Sequence, residues 1–478
     1  MPGIRTPVTT RIRASGFGLV SAFLFLLAGC AVGPKYHRPP VNLPAQYRNE
    51  TGPGTNSLAE LPWWEIFKDD ALQGLIRTAL TNNFDLLIAI TRVEQAQALA
   101  MQARAGFFPT LNYQGTAARG KNSLSGFAVP NGQTSDFFLL TGTASWELDL
   151  WGRVRRMNEA AQAQFLASKE AQRGVQISLI SQVAQAYFQL LALDGEIEIA
   201  RRATNAFSGS LKIFTERLGH GVASRLETSS AEAPLASAAA AIPELERQAA
   251  LQEDEINVLV GRYTGPVPRN DSLIERFVPP SVPAGLPSAL LERRPDIREA
   301  DQLARAANAQ VGVAVANFFP QFTLTALFGQ VSPALSAFTS GGANAWNIAA
   351  NVAGPILEGG RLVGEYRQAK AVRAQNWLQY QASVLSAFRE VSDALISREK
   401  LAQARIEQER SVTAYKEAVH IATERYRLGQ SSYYEVLQEQ EELYPAENTL
   451  LQTKLNQFLS IIQLYRALGG GWEKGEHD

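Results

Sequence analysis

The sequence predicts an α+β membrane protein made of two copies of one unit, each with paired long helices and two strands. The segment from Asn82 to Leu111 aligns without a gap on the segment from Arg293 to Phe322, 211 residues later. Apolar residues recur every seven positions near the end of the chain, which is a coiled-coil period. Four further segments alternate apolar and polar residues, as half-buried strands do.

The first element is a secretory signal, residues 1–29. Three arginines precede an apolar run from Phe17 to Leu27, which is too short to span a bilayer as a helix. The run ends in Leu-Ala-Gly before Cys30, the single cysteine of the chain. This pattern resembles the lipobox of bacterial lipoproteins, which implies cleavage before Cys30 and acylation of its thiol. The alternative is a free or buried thiol that follows an ordinary signal.

The mature chain divides at its prolines and at the ends of the repeat. Residues 30–68 are predicted as a lipid-anchored extended segment, 69–262 as the first repeat, 263–292 as a proline-rich connector, 293–468 as the second repeat and 469–478 as a tail. Predicted strands lie near 109–119, 136–149, 319–329 and 344–354. Predicted long helices lie near 152–204, 208–262, 359–427 and 431–467, and glycine-containing turns between long helices are placed at 218–227 and 428–435.

Each predicted strand has an apolar side and a small or polar side, as Leu111 and Tyr113 against Asn112 and Gln114 illustrate. Alternation suits a soluble sandwich equally well, but the secretory signal and the strand lengths favour tilted membrane strands. Four strands cannot close a barrel, and open edges in lipid leave backbone groups unpaired. The chain must therefore oligomerise; three copies supply twelve strands and two copies supply eight.

Three stretches resemble the lipoprotein branch of the TolC-like outer membrane factors, typified by OprM, CusC and NodT-type subunits. They are CAVGPKYHRPP after the lipobox, LPSALLERRPDIREAD from Leu286 to Asp301, and ERYRLGQSSYYEVLQEQ from Glu424 to Gln440. The resemblance covers essentially the whole mature chain. It implies a homotrimer with a twelve-stranded outer-membrane β-barrel, four strands per chain, continuous with a long periplasmic α-helical coiled-coil barrel. Such a trimer is an exit duct for an inner-membrane pump of the resistance-nodulation-division (RND) class, coupled through a periplasmic adaptor, the membrane fusion protein.

The same resemblance implies that the turns between long helices form the closed periplasmic aperture. The expected adaptor contacts are Gly219, Gly221, Ser224, Gly429 and Ser432. Expected gate residues are Arg425, Tyr426, Tyr434, Glu435, Gln438 and Glu439.

Individual gate roles follow from the matched positions. Arg425 and Tyr426 stand where relatives hold the resting state through inter-helix hydrogen bonds and ion pairs, and Tyr434 stands where a bulky residue narrows the pore. Gln438 replaces an aspartate of relatives that have an acidic ring, although Glu435 and Glu439 could supply the charge. The alternative is a solvated helix face whose ion pairs are worth only tenths of a kcal/mol.

Other classes of function find little support in the sequence. The 45 basic and 46 acidic residues balance, so nothing suggests nucleic acid as a partner. The four histidines are scattered, and no P-loop or nucleophile-elbow motif occurs, so we expect no enzyme, no metal site and no cofactor beyond the lipid on Cys30. Two alternatives stay open: a type I protein secretion duct, and a structural periplasmic coiled-coil lipoprotein.

Overall fold

The computed structural model describes residues 31–44, 47, 62–121, 134–270, 290–338 and 341–470. The chain divides into two compact units. One comprises residues up to 39 with 94–167 and 300–380, and the other comprises 40–93, 168–299 and 381–478. Each unit therefore takes segments from both halves of the sequence repeat.

The first unit holds the sheet. Its strands are β1 (Thr110–Lys121), β2 (Thr134–Leu148), β3 (Gln321–Ser332) and β4 (Asn344–Ala353). They form one antiparallel meander in the order β1-β2-β3-β4, in which β2 and β3 come from different repeats. β1 and β3 each begin directly after a Phe-Phe-Pro sequence, because proline cannot continue the preceding helix.

Nine helices are found among the described residues, and the four longest form two pairs. None of the described helices is both long and apolar enough to cross a membrane. Their bounds are α1 Trp63–Ile66, α2 Asp70–Asn82, α3 Phe84–Ala105, α4 Arg153–Gly219, α5 Arg225–Leu259, α6 Leu290–Arg293, α7 Pro295–Ala316, α8 Arg361–Arg427 and α9 Tyr433–Ala467.

The predicted break at residues 204–208 is wrong, because α4 continues through it to Gly219. The Thr204 hydroxyl donates to the carbonyl of Ala200, four residues back, and the Ser210 hydroxyl lies 3.1 Å from the carbonyl of Ala206. Such contacts are compatible with a continuous helix, and Gly209, directly after the predicted break, does not take the positive φ that would end one. The pair of long helices in the first repeat therefore turns at 220–224, within the stretch 218–227 also predicted as a turn.

Two segments predicted as extended contain short helices. α1 lies inside 30–68 because Trp63 and Ile66 are both buried, and burial of that pair outweighs the weak local preference. α6 lies at the end of the connector, where Leu290 is 2% exposed. In both places tertiary packing decides the local structure.

In the second unit a buried polar cluster fastens the start of the connector. Asp69 caps α2 by accepting from the N–H groups of Ala71 and Leu72, and it also accepts from the Tyr187 hydroxyl at 2.9 Å and the Asn270 amide at 3.1 Å. Burial, followed by the bond to Asp69, raises the pKa of Tyr187. The neutral phenol therefore stays the donor.

Candidate functional site

Both turns between long helices use the same backbone geometry. Gly221 and Gly429 have φ of 72° and 70°, a conformation that favours glycine. The Gly221 N–H donates to the carbonyl of Leu218, and the Gly429 N–H to that of Tyr426, at 3.0 and 2.9 Å. The next N–H in each turn donates five residues back, which completes a Schellman motif. Open space surrounds both glycines, so conformation rather than packing requires them.

The helices that leave the two turns begin differently. Ser224 caps α5 in a complete capping box, in which its hydroxyl accepts from the Glu227 N–H and the Glu227 carboxylate accepts from the Ser224 N–H. The Ser224 N–H, and after it the Ser224 hydroxyl, donate to the Glu227 carboxylate and lower the pKa of Glu227. Ser432 stands at the same place before α9, but its side chain makes no capping bond.

Arg425 binds the Glu435 carboxylate, the group that would complete the second box. Its Nη1 lies 3.3 Å from Oε2 of Glu435, and both side chains are about half exposed, at 50% and 45%. The structure thus brings two predicted gate residues together across α8 and α9. In this geometry the pair is worth about 0.2–1 kcal/mol.

The remaining predicted gate residues take separate positions. The Tyr426 ring packs edge-on against Tyr433 with centroids 4.8 Å apart, so its observed contact is aromatic, whereas the prediction invoked hydrogen bonds and ion pairs. Tyr434 is 54% exposed and Gln438 is exposed. Glu439 is half-buried, and within the described part of the chain neither it nor Gln438 makes an ion pair. Their predicted roles remain predictions.

The sequence prediction missed a buried hydrogen-bond network that joins the two helix pairs. Ser210 of α4 is fully buried; its Oγ lies 3.1 Å from the Tyr433 hydroxyl and donates to Oε1 of Gln440 at 2.9 Å, both on α9. A signal existed: Ser210 lies in the apolar stripe between Phe207 and Phe214, where a polar residue needs a partner. We call Ser210, Tyr433 and Gln440 the latch.

Apolar packing surrounds the latch. Phe214 contacts the Tyr433 ring edge-on at 5.4 Å. Tyr433 lies four residues before Leu437 and therefore shares its helix face, which was the available signal. The buried cluster comprises Phe207, Phe214, Ala231, Ala238, Ala422, Tyr433, Val436 and Leu437.

An ion-paired cavity of about 470 Å³ lies beside the latch, shares Gln440 with it and is also lined by Phe207 of the surrounding apolar cluster. Glu447 of α9 accepts there from Arg202 of α4 at 3.3 Å and from Lys416 of α8 at 2.9 Å. One carboxylate therefore links the first helix pair to the second a short way along the helices from the turn.

The sheet has one strongly apolar and exposed face. Leu111 and Ile348 belong to one register row, and Tyr113, Phe328 and Trp346 to a neighbouring row on the same face. All five side chains are at least 69% exposed. A patch of this kind marks contact with lipid or with another protein.

The opposite face of the sheet is more polar. Asn112, Thr143 and Asn347 lie in one register row, with Leu327 between the last two. Such a face suits contact with water. The two faces therefore differ as a membrane strand pair requires.

Tryptophan side chains tie the strand ends to the adjoining turns. Trp146 Nε1 donates to the carbonyl of Phe107 at 3.0 Å, and Trp151 Nε1 donates to that of Pro320 at 2.8 Å. The Val32 N–H donates in turn to the Trp151 carbonyl at 3.0 Å. The N-terminal segment is thus attached close to the ends of β2 and β3.

Residues 32–38, which we call the strap, are bonded to α7. Tyr36 donates to Oδ1 of Asp301 at 2.5 Å, and Arg38 donates to Oδ2 at 3.1 Å. The Asn308 amide donates to the Pro34 carbonyl at 2.9 Å. Burial, then the bond to Asp301, raises the pKa of Tyr36. The motif after the lipobox and the block that ends at Asp301 therefore contact each other.

Two glycines set the close approach of the strap. Gly33 has φ of +96°, and a Cβ there would lie 2.5 Å from Cα of Gly312. A Cβ on Gly312 would lie 2.8 Å from Nε of Arg156, whose guanidinium donates to the Val32 carbonyl at 3.2 Å. Cys30 lies outside the described residues.

No group of three or more histidine, cysteine, aspartate or glutamate side chains in the described part of the chain could hold a metal ion. The features that stand out are mechanical: the turns, the latch, the sheet and the strap.

Comparison with known proteins agrees with this picture. The model of the family described as outer membrane efflux protein matches residues 75–262 and 286–470. The chain is 34% identical over 463 residues to the probable efflux pump outer membrane protein TtgC of Pseudomonas putida, covering 94% of each chain. It is 32% identical over 455 residues to the probable outer membrane lipoprotein SilC of Salmonella typhimurium, covering 94% of this chain and 97% of that protein.

A solved structure extends the comparison to the fold. The open state of the MtrE outer membrane channel of Neisseria gonorrhoeae superposes with a TM-score of 0.84 at 30% identity, covering 94% of this chain and all of that one. The match in sequence and in fold spans nearly the full length on both sides. This chain belongs to the outer membrane efflux protein family.

Proposed function

We propose that three copies of this outer membrane protein form a passive exit duct of a tripartite efflux system. The observation that carries the proposal is the sheet, a four-stranded meander whose edge strands β1 and β4 each have one neighbour in the described chain. Three such sheets joined edge to edge give a twelve-stranded barrel with no open edge, which is the condition for strands in lipid.

The two faces of the sheet support the same assembly. Closing the barrel with the Leu111, Tyr113 and Trp346 face outward gives these exposed side chains lipid as their surroundings. The row with Asn112, Thr143 and Asn347 then lines a water-filled lumen. The reverse orientation would put exposed aromatic rings in water and amides in hydrocarbon.

The long helices continue the duct into the periplasm, and their turns close its inner end. The latch holds the second helix pair to the first at the closed end, and the ion pair of Arg425 with Glu435 joins the two helices of the second pair beside the turn. The partners are a periplasmic adaptor at the turns and an inner-membrane RND pump. The pump supplies the energy, so the duct needs no catalytic group and no cofactor.

The names of relatives indicate the class of cargo. TtgC of one P. putida strain is named a toluene efflux pump protein, and ArpC an antibiotic efflux pump protein. We assign to this chain small molecules of that broad class, namely drugs, other toxic compounds or metals.

A lipid on Cys30 anchors the mature N-terminus, and the strap fixes where that anchor meets the protein. Labelling cells with radioactive palmitate tests the modification directly. Label should enter the wild-type chain and not the Cys30→Ser variant. Equal labelling of both would contradict acylation at Cys30.

The duct itself is tested on the full-length protein purified in detergent. We expect a trimer that stays assembled on unboiled gels and conducts ions in planar bilayers. Deleting the gene should raise susceptibility to drugs or solvents. A stable monomer with no channel activity would contradict the proposal and favour a structural coiled-coil lipoprotein.

A type I protein secretion duct shares this architecture and gives a different phenotype. Its loss would abolish secretion of a protein and leave drug susceptibility unchanged. Measuring both in the same deletion strain separates the two functions.

A further inference from the structure

One buried arginine joins three helices at the end of α9 far from the turn, beside the middle of α8. Arg294, 7% exposed, donates from Nε and Nη2 to the two carboxylate oxygens of Asp296 at 2.9 and 2.6 Å. Its Nη1 donates to Glu390 of α8 at 2.8 Å and to the carbonyl of Ala467, the last residue of α9, at 2.9 Å. We call these four residues the joint.

The carboxylates around Arg294 favour the positive charge of its guanidinium. Burial of the Arg294 guanidinium opposes its charge, but Asp296 and Glu390 outweigh that effect, and the pKa of Arg294 lies above its ordinary value. The backbone at Gly469 also lies close to Arg294, since a Cβ on Gly469 would lie 3.1 Å from Cα of Arg294. The end of α9 is thus held by both charge and contact.

The first repeat has a neutral version of the same contact. Asn83, which the repeat aligns with Arg294, donates through its side-chain amide to the carbonyl of Leu259 at 2.9 Å. Leu259 ends α5 as Ala467 ends α9, and an exposed Gln182 stands where the second repeat has Glu390. The charged joint is therefore specific to the pair α8–α9.

The contacts at the two ends of the second pair differ in kind. At the joint a buried cation meets two carboxylates and a carbonyl, so separating them would leave charge in a place poor in water. Near the turn the pair is held to α4 by the latch, whose hydrogen bonds join neutral side chains and cost less to break. A displacement of the pair as a body therefore breaks the latch before the joint.

Because α9 is long, a small rotation at the joint moves the other end of the helix by a large distance. From Ala467 to Tyr433, α9 runs roughly 50 Å at 1.5 Å per residue. A rotation of about 10° at the joint moves the other end by about 9 Å at that length. Such a movement exceeds the reach of every hydrogen bond in the latch.

We propose that Arg294 is the positioning residue that fixes the end of α9 far from the turn, and through α9 sets where the turn at 428–432 lies in the closed duct. This inference rests on the proposed duct function. It assigns to the second arginine of the RRPDI block a mechanical role in the closed state.

The test uses full-length acylated trimers in planar bilayers and, with spin labels, in liposomes. Arg294→Gln is compared with Asn83→Ala, its counterpart in the first repeat. Labels are introduced at Ser432→Cys to follow the second turn and at Ser224→Cys to follow the first. The distances between labels in the three copies report the position of each turn.

We expect Arg294→Gln to raise the open probability at least tenfold and to broaden the distances at position 432 while those at 224 stay unchanged. Asn83→Ala should leave the distances at 432 as in wild type. Unchanged distances and conductance in Arg294→Gln would overturn the proposal. Equal broadening at both turns would also overturn it, because that result indicates general loosening.

A second and milder variant is needed in case Arg294→Gln does not assemble into trimers. Glu390→Gln removes one carboxylate and keeps the bonds from Arg294 to Asp296 and Ala467; we expect the same selective broadening at 432, smaller in size. If neither variant forms trimers, the joint serves folding and the proposal fails. A wild-type protein that forms no channel would instead contradict the duct function, so the two failures are distinguishable.

Discussion

Removing one buried hydroxyl should open the duct more than removing the exposed ion pair at the turn. Ser210→Ala deletes the oxygen that contacts the Tyr433 hydroxyl and the Gln440 side chain. Alanine is the better helix former, but that gain applies to closed and open states alike. What remains is the loss of two inter-helix contacts that exist only when the helix pairs lie together.

The magnitude follows from burial. Leaving a buried polar group without its partner costs about 1–3 kcal/mol. At about 1.5 kcal/mol per chain, three copies lose about 4.5 kcal/mol, which at 1.4 kcal/mol per tenfold shifts the closed–open equilibrium about a thousandfold. For Arg425→Ala about 0.5 kcal/mol per chain gives a shift of about tenfold.

Single-channel recording in planar bilayers measures this as open probability. Thr215→Ala is the matched control, because Thr215 is an exposed hydroxyl of the same helix and donates to its own helix carbonyl at Leu211. We expect no change for the control. The reasoning is refuted if Arg425→Ala opens the channel more than Ser210→Ala does, or if Ser210→Ala behaves as the control does.

Two further predictions concern the strap and the half-buried carboxyl of Glu299. Gly312→Ala should displace Arg156 and release the strap, which is measured as faster proteolysis at the N-terminus. The control is Gly364→Ala, at a helical glycine with open space around it, which should not speed proteolysis. Equal proteolysis rates in the two variants would contradict this reasoning. Burial, and after it the negative charges of Asp296 and Glu170, raise the pKa of Glu299. The group therefore stabilises the fold at pH values below its unfolded pKa. That stabilisation is lost as the pH rises through its folded pKa. Glu299→Gln should therefore raise the melting temperature at pH 7 and have little effect near pH 4; lower stability at pH 7 would show the sign to be wrong.

Much of the fold was predictable because its rules are local. Strand alternation located all four strands to within three residues. The turns between long helices were marked by Gly221 and Gly429, since only a residue that tolerates positive φ ends a helix in that way. The false break at 204–208 stands beside Gly209, which does not take positive φ and so does not end the helix.

The candidate site was less predictable, because its contacts join residues that are distant in sequence. Ser210 and Tyr433 are more than 200 positions apart, and nothing in the helix period says which stripe faces which. The same holds for the strap, where Tyr36 meets Asp301. The motifs that resemble the family marked both segments but did not show that they contact each other.

The two turns also show how one substitution can redirect a shared local motif. Ser432 and Glu435 have the spacing of Ser224 and Glu227, so Glu435 has the chemistry to complete a capping box but instead binds Arg425. Arg425→Ala should therefore free Glu435 to cap α9, and a cap contributes about 0.5–2 kcal/mol to the helix, at least as much as the lost ion pair. Amide hydrogen exchange in the first turn of α9 should slow in Arg425→Ala and return to the wild-type rate when Ser432→Ala is added, whereas Ser432→Ala alone should change little. Unaltered exchange in Arg425→Ala would mean that the arginine does not compete with the cap, and the difference between the two turns would then need another cause.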